Sequence, residues 1–208
     1  MATLGLAFVD PRWAAHMSGI LCVLVATVAL RARPIQLTKY STLTGSSVAG
    51  LSGALMLGVS AGTLGLYAGV LLGDWMVQRK ALAWAWVNAG RESLALIAAY
   101  GAYAALALQL QTGTPGAVTA EGVPAIADFF FSHFLVSRAL QYFSLVLRRK
   151  LQADERSLIL RYEVITFAAT VAAVVVTVLT VAFVGPAGWA VVAIALGFAA
   201  LLFTRIIE

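Results

Sequence analysis

Seven apolar stretches, at residues 13–30, 42–57, 60–77, 90–110, 125–147, 163–184 and 189–207, take up most of this 208-residue chain. A hydrocarbon core about 30 Å thick is crossed by about 20 apolar residues in helical form, so stretches of this kind read as membrane helices. Composition closes the other route: 62% of the residues are hydrophobic and 11% charged, against about a quarter charged in soluble domains. A chain of this size has too little polar surface to hide so much apolar surface in water. The expected fold is all-α, a polytopic transmembrane bundle of about seven spans forming one integral membrane domain over residues 1–208. Six is the rival count, because the second and third stretches run together. A continuous helix over residues 42–77 would be about 54 Å long, which favours a tight turn near Gly58–Ser60, with a re-entrant pair as the alternative. Gly185-Pro186-Ala187-Gly188 predicts a second break.

The basic residues test the count independently. With seven spans and an outside N-terminus, 12 of the 14 Lys and Arg residues fall on the cytoplasmic side, Arg12 and Arg138 being the two that do not. That division obeys the positive-inside rule, whereas six spans would place Arg205 and the basic loop around residues 148–161 on opposite sides. The net charge of +5 is thereby explained by topology, and nucleic acid is not expected as a partner. Asp10 and Arg12 nearly cancel before the first span while Arg31 and Arg33 follow it, the polarity of an uncleaved helix with its N-terminus outside. The expected location is a bacterial inner membrane. Cys22 is the only cysteine, and His16 and His133 are the only histidines, which excludes disulfide frameworks and cysteine or poly-histidine metal centres built by this chain alone. No cofactor is expected.

Polarity retained inside a membrane is costly and so points to packing or chemistry. Gly58, Gly62, Gly65, Gly69 and Gly73 follow offsets of four, three, four and four, lining one helical face that another helix can approach closely. Around the next connection Trp75, Trp84 and Trp86 beside Arg79-Lys80 read as an interfacial belt. Asn88 and Glu92 share a face of the fourth span, and Asp74 is expected to pair with Arg91 across the loop. In the fifth span His133, Ser137, Gln141 and Ser144 share a face directed inward. Arg138 in the same span would cost about 2.5–3.5 kcal/mol facing lipid, which demands an acceptor, Glu92 being the candidate. Asn88, Glu92, His133, Ser137, Arg138 and Gln141 are accordingly the candidate ligand-binding residues, beside the simpler reading that each is satisfied within the bundle. There is no HExxH, GxSxG or Walker pattern and no intramembrane carboxylate pair, so no catalytic centre is expected.

The run Gly73-Asp74, Arg79-Lys80, Trp84 and Asn88-Ala89 after a small-residue helix resembles the membrane sensor domains that precede HD-GYP or GGDEF modules in bacterial cyclic-di-GMP signalling proteins. The stretch from Arg148 to Tyr162, the helices around Gly185-Pro186-Ala187-Gly188 and the ending Arg205-Ile206-Ile207-Glu208 are similar to the membrane half of such HD-GYP proteins. Val87 and Arg91-Glu92 depart from the usual pattern. The resemblance implies a non-catalytic sensory or ligand-binding domain whose partners are the bilayer, a small-molecule ligand and a cytoplasmic signalling module. Two alternatives stand beside it: the substrate-binding membrane subunit of a small-molecule transporter, and a structural subunit packing on another membrane protein. No Gly, Pro or polar cap stops the last helix, so it is expected to lead into a cytoplasmic module of the same chain or of a partner.

Overall fold

The computed structural model describes residues 2–32, 34–36, 42–43, 45–110, 120–147 and 153–207. Among them are eight α-helices: α1 (Ala2–Val9), α2 (Met17–Arg31, entered through a 3₁₀ turn at Pro11–His16), α3 (Ser46–Leu57), α4 (Val59–Leu72), α5 (Leu82–Gln109), α6 (Val123–Leu147), α7 (Ala153–Val184) and α8 (Gly188–Ile207). β-Structure among the described residues is limited to β1 (Ile35–Gln36) and β2 (Thr42–Leu43), antiparallel with Ile35 opposite Leu43. The expected second span therefore starts four residues late, at Ser46. Most of the connection expected outside at residues 111–124, the side chain of Ser144, the basic residues Arg33, Lys39 and 148–150, and the side chains of Arg205 and Glu208 lie outside the described residues.

Three helices, Pro11–Arg31, Val123–Phe143 and Arg161–Val184, are long and apolar enough to cross a membrane. Beside an apolar core that includes Leu51, Leu66 and Phe129, the polar Ser46, Ser52, Thr27, Thr63, Arg31 and Asp74 are also buried, while Phe183, Ile194, Leu108 and Phe143 are exposed. An apolar exterior of this extent is what a lipid solvent accepts.

α3 and α4 meet at Gly58, whose φ of 89° is open to glycine and strained for other residues. The two helices fold back on each other, with Gly53 and Ala54 of α3 against Gly62 of α4 and Gly50 against Leu66. At 12 residues α3 rises only about 18 Å, yet its turn into α4 reaches the end of the bundle that holds Asp10, where Ser60 meets it, and α4 continues through the turn at Gly73–Val77 to the opposite end.

The glycine face is a seam at three of its five expected positions. A Cβ on Gly62 would lie 2.4 Å from the Ala54 nitrogen, one on Gly65 2.8 Å from Val23 Cγ1, and one on Gly69 2.6 Å from Thr27 Cβ. Gly73 lies in ordinary contact with the Arg31 side chain, 3.4 Å away. Gly58 is corrected: nothing lies within 4 Å of its Cβ direction, and its role is the turn. Val23 and Thr27 belong to α2, so α2 lies in the groove that α4 presents. Around this centre α5 packs on α4 and α6, α7 on α3, and α8 on α2 and α7. Trp189 at the start of α8 is buried and donates from Nε1 to Ser52 Oγ on α3 at 2.9 Å.

At the end of the bundle that holds the N-terminus, Asp10 caps the Pro11–His16 turn. It accepts from Arg12 Nε at 2.7 Å and from Ser60 Oγ at 2.9 Å. The hydrogen bond from the Arg12 side chain, aided by that from Ser60, holds the Asp10 carboxyl below its ordinary value of 3.8.

Candidate functional site: a cation-lined cavity

At the opposite end the chain gathers charge. α4 widens into a single π turn at Gly73–Val77, with Gln78 N bonded to Gly73 O at 2.9 Å and Lys80 N returning to Asp74 O at 2.9 Å. The second bond closes a Schellman-type cap whose left-handed position is filled by Arg79, φ 53°, where glycine is usual. This closure holds Lys80 beside Asp74.

Asp74 is fully buried and accepts from three side chains. Arg31 of α2 binds it through both guanidinium edges, Nε to Oδ1 at 2.6 Å and Nη2 to Oδ2 at 3.1 Å. Lys80 Nζ lies 3.2 Å from Oδ1, and Asn88 Nδ2 of α5 lies 2.6 Å from Oδ2. Gln78 Nε2 donates to the Arg31 carbonyl at 2.6 Å, satisfying one of the free carbonyls at the end of α2. A buried carboxylate is tolerated only when paired and hydrogen-bonded in this way. The expected pairing of Asp74 with Arg91 is therefore corrected: Arg31, 43 residues away, takes that place.

A second ion pair joins α6 to α7. Arg138 Nε lies 2.6 Å from Glu163 Oε2, Arg138 Nη1 donates to Gln141 Oε1 at 2.6 Å, and Tyr142 Oη donates to Glu163 Oε1. Glu92, expected as the acceptor for Arg138, is displaced from that role by Glu163. The expectation that Arg138 has a protein acceptor holds.

Between the two ion pairs lies a cavity of about 200 Å³. Arg31, Lys80, Arg91 and Arg138 bring four cations to its wall, and Glu92 brings one carboxylate. Ser47, Ser137, Gln141, Thr166 and Thr170 add neutral polar groups from α3, α6 and α7. Five of its lining residues also line a deeper space of about 30 Å³, walled by Leu51, Phe130, Phe134 and Phe167 and holding His133. His133 is 5% exposed, and its Nε2 has no hydrogen-bond partner.

Of the six candidate residues, Glu92, Ser137, Arg138 and Gln141 border the larger cavity and His133 borders the deeper one. Asn88 borders neither and instead holds Asp74. Arg31, Ser47, Glu163, Thr166 and Thr170 are absent from the sequence-derived set. Glu163 had a usable signal: two opposite charges embedded in separate apolar helices each need a partner, and Arg138 and Glu163 are such a pair. Arg31 gave none, since an arginine ending a span is already explained by the positive-inside rule.

Among the described residues no three of His, Cys, Asp and Glu come together as metal ligands. Comparison of the chain with protein-family models, curated proteins and solved structures finds no match.

Proposed function

We propose that this chain is a non-catalytic membrane sensory domain whose ligand occupies the cavity between the Asp74 and Arg138 clusters. The observation carrying this reading is that cavity: a polar space of about 200 Å³ walled by four cations inside a bundle whose exterior is apolar. Polar side chains are kept at such a place when something polar uses them. Gly73-Asp74, Lys80 and Asn88, which carry the resemblance to cyclic-di-GMP sensor domains, form one hydrogen-bonded unit at its edge, in line with that resemblance. The positive-inside pattern favours a bacterial inner membrane with the cavity at the cytoplasmic end, the N-terminus outside and α8 ending inside.

Transmission follows from packing. Arg31 sits on α2 and Thr166 and Thr170 on α7, and α8 packs on both helices. A ligand with different affinity for two arrangements of α2 and α7 shifts the population between them, and α8 carries the shift to a cytoplasmic module or partner.

Native mass spectrometry of the protein extracted from its own membranes tests the reading, with Ser137→Trp to fill the cavity. A small-molecule adduct on the wild type that Ser137→Trp lacks is expected. An adduct spectrum identical in both proteins would refute a ligand in this cavity.

A further inference from the structure

The charges around the cavity are unequally satisfied. Arg31 and Lys80 share Asp74, and Arg138 is held by Glu163 and Gln141. Arg91 lines the same cavity, is half-buried, and has no ion pair or hydrogen bond among the described residues. Its guanidinium therefore offers a planar fork of donors, the geometry that matches an oxyanion. Glu92 is the counterpart. It borders the cavity, and its Oε2 is buried without a hydrogen-bond partner. Both line the same cavity, and no ion pair joins them among the described residues, so a ligand there meets an open donor beside an open acceptor.

A ligand suited to this wall must satisfy an unpaired cation and an unpaired acceptor together. An amine leaves Arg91 without a counter-charge and adds a like charge beside it. A neutral polyol leaves Arg91 without a counter-charge. Sulfate, fully ionised near neutral pH and without a proton, satisfies Arg91 but faces Glu92 with like charge and no donor. A phosphate that keeps a proton, or an ester whose hydroxyl lies beside the phosphate, satisfies both. Ser47, Ser137 and Thr166 supply hydroxyls for its remaining oxygens.

We propose that the cavity binds a phosphate group with an O–H donor on it or on the adjoining carbon chain, with Arg91 as its cationic anchor and Glu92 accepting the O–H. This rests on the cavity being the ligand site and adds the chemistry of its occupant. Two sources carry that chemistry: inorganic phosphate or a soluble phosphate ester, and a lipid headgroup such as phosphatidylglycerol, whose glycerol hydroxyls adjoin its phosphate.

The experiment measures binding of inorganic phosphate and of sulfate to the full chain, calorimetrically, in a neutral maltoside detergent at constant ionic strength and pH 7. A parallel arm uses native mass spectrometry from phosphatidylcholine nanodiscs containing phosphatidylglycerol. For a soluble ligand, phosphate binds about tenfold or more tighter than sulfate, and Arg91→Gln weakens it by about tenfold or more. Glu92→Gln then retains phosphate but loses the discrimination against sulfate. For a lipid ligand, phosphatidylglycerol is retained through detergent exchange and lost in Arg91→Gln, while phosphate binds weakly. Arg91→Lys, which keeps the charge and removes the fork, falls between wild type and Arg91→Gln in either arm and guards against a folding defect in the glutamine variant. Equal binding of phosphate and sulfate together with indifference to phosphatidylglycerol overturns the inference, as does an unaltered Arg91→Gln protein. If the adduct lost in Ser137→Trp is a molecule without phosphate, this inference fails while the cavity reading stands. If Ser137→Trp leaves every adduct in place, the cavity reading itself fails.

Discussion

Arg31 and Asp74 are 43 residues apart in the chain and meet through both edges of the guanidinium, with side-chain exposures of 6% and 0%. The pair joins the end of α2 to the end of α4 and, through Lys80 and Asn88, to the start of α5.

Removing one partner of a buried ion pair strands the other charge, at a cost of about 3–5 kcal/mol, whereas replacing both by apolar residues is often neutral. Asp74→Leu is accordingly expected to lower the melting temperature in detergent more than the double variant Asp74→Leu with Arg31→Met. A double variant less stable than Asp74→Leu alone would show that Arg31 is held by other contacts.

The seam between α2, α3 and α4 makes a graded prediction. Gly62→Ala drives a methyl into the Ala54 backbone at 2.4 Å, whereas nothing lies within 4 Å of Gly101. The first change is expected to destabilise by about 1–3 kcal/mol, while Gly101→Ala is neutral or slightly stabilising. Equal melting temperatures for the two variants would contradict close approach at Gly62.

Arg79 occupies a left-handed backbone position, φ 53°, at a cost of about 1–2 kcal/mol for a residue with a Cβ. Arg79→Gly relieves that cost, less the extra freedom glycine has when unfolded. A small rise in melting temperature is expected. A fall would mean that the Arg79 side chain contributes more than its backbone costs.

Asp10 gives a pH dependence of known sign. Its carboxyl is held below 3.8 by Arg12 and Ser60, so in the folded protein it stays ionised where the unfolded chain binds a proton. The stability this contributes is present above the unfolded value and is lost as pH falls through the folded one. Melting scans between about pH 5 and pH 2 are expected to show a smaller acid-side loss for Asp10→Asn than for the wild type. Parallel curves would remove the linkage.

Orientation is checked by labelling single cysteines in a Cys22→Ser background. A cysteine at Thr114 is expected to react from outside in intact cells, and one at Lys150 only after permeabilisation. The reverse accessibility at both sites would invert the bundle.

Much of the helical plan follows from local properties. Runs of apolar residues predict α2, α6, α7 and α8 to within a few residues at most ends, because a backbone in lipid must satisfy its hydrogen bonds within the helix whatever surrounds it. The break at Gly58 and the one at Gly185–Gly188 are likewise legible, since a positive φ and a proline act on the chain locally. The Gly62, Gly65 and Gly69 face could be read from spacing alone.

What spacing could not supply was the partner across each face. A glycine groove receives any helix with suitable side chains, and only the three-dimensional packing selects Val23 and Thr27 of α2. Asp74 was expected to pair with Arg91 across the loop, yet the π turn at Gly73–Val77 and the placement of α2 beside α4 bring Arg31 to it instead. Arg138 likewise finds Glu163 and not Glu92 because α7 lies beside it. A buried charge in a membrane bundle requires a partner, and that requirement is visible in one sequence. Which residue meets it depends on which helices touch, a long-range property set by the packing of all the helices together.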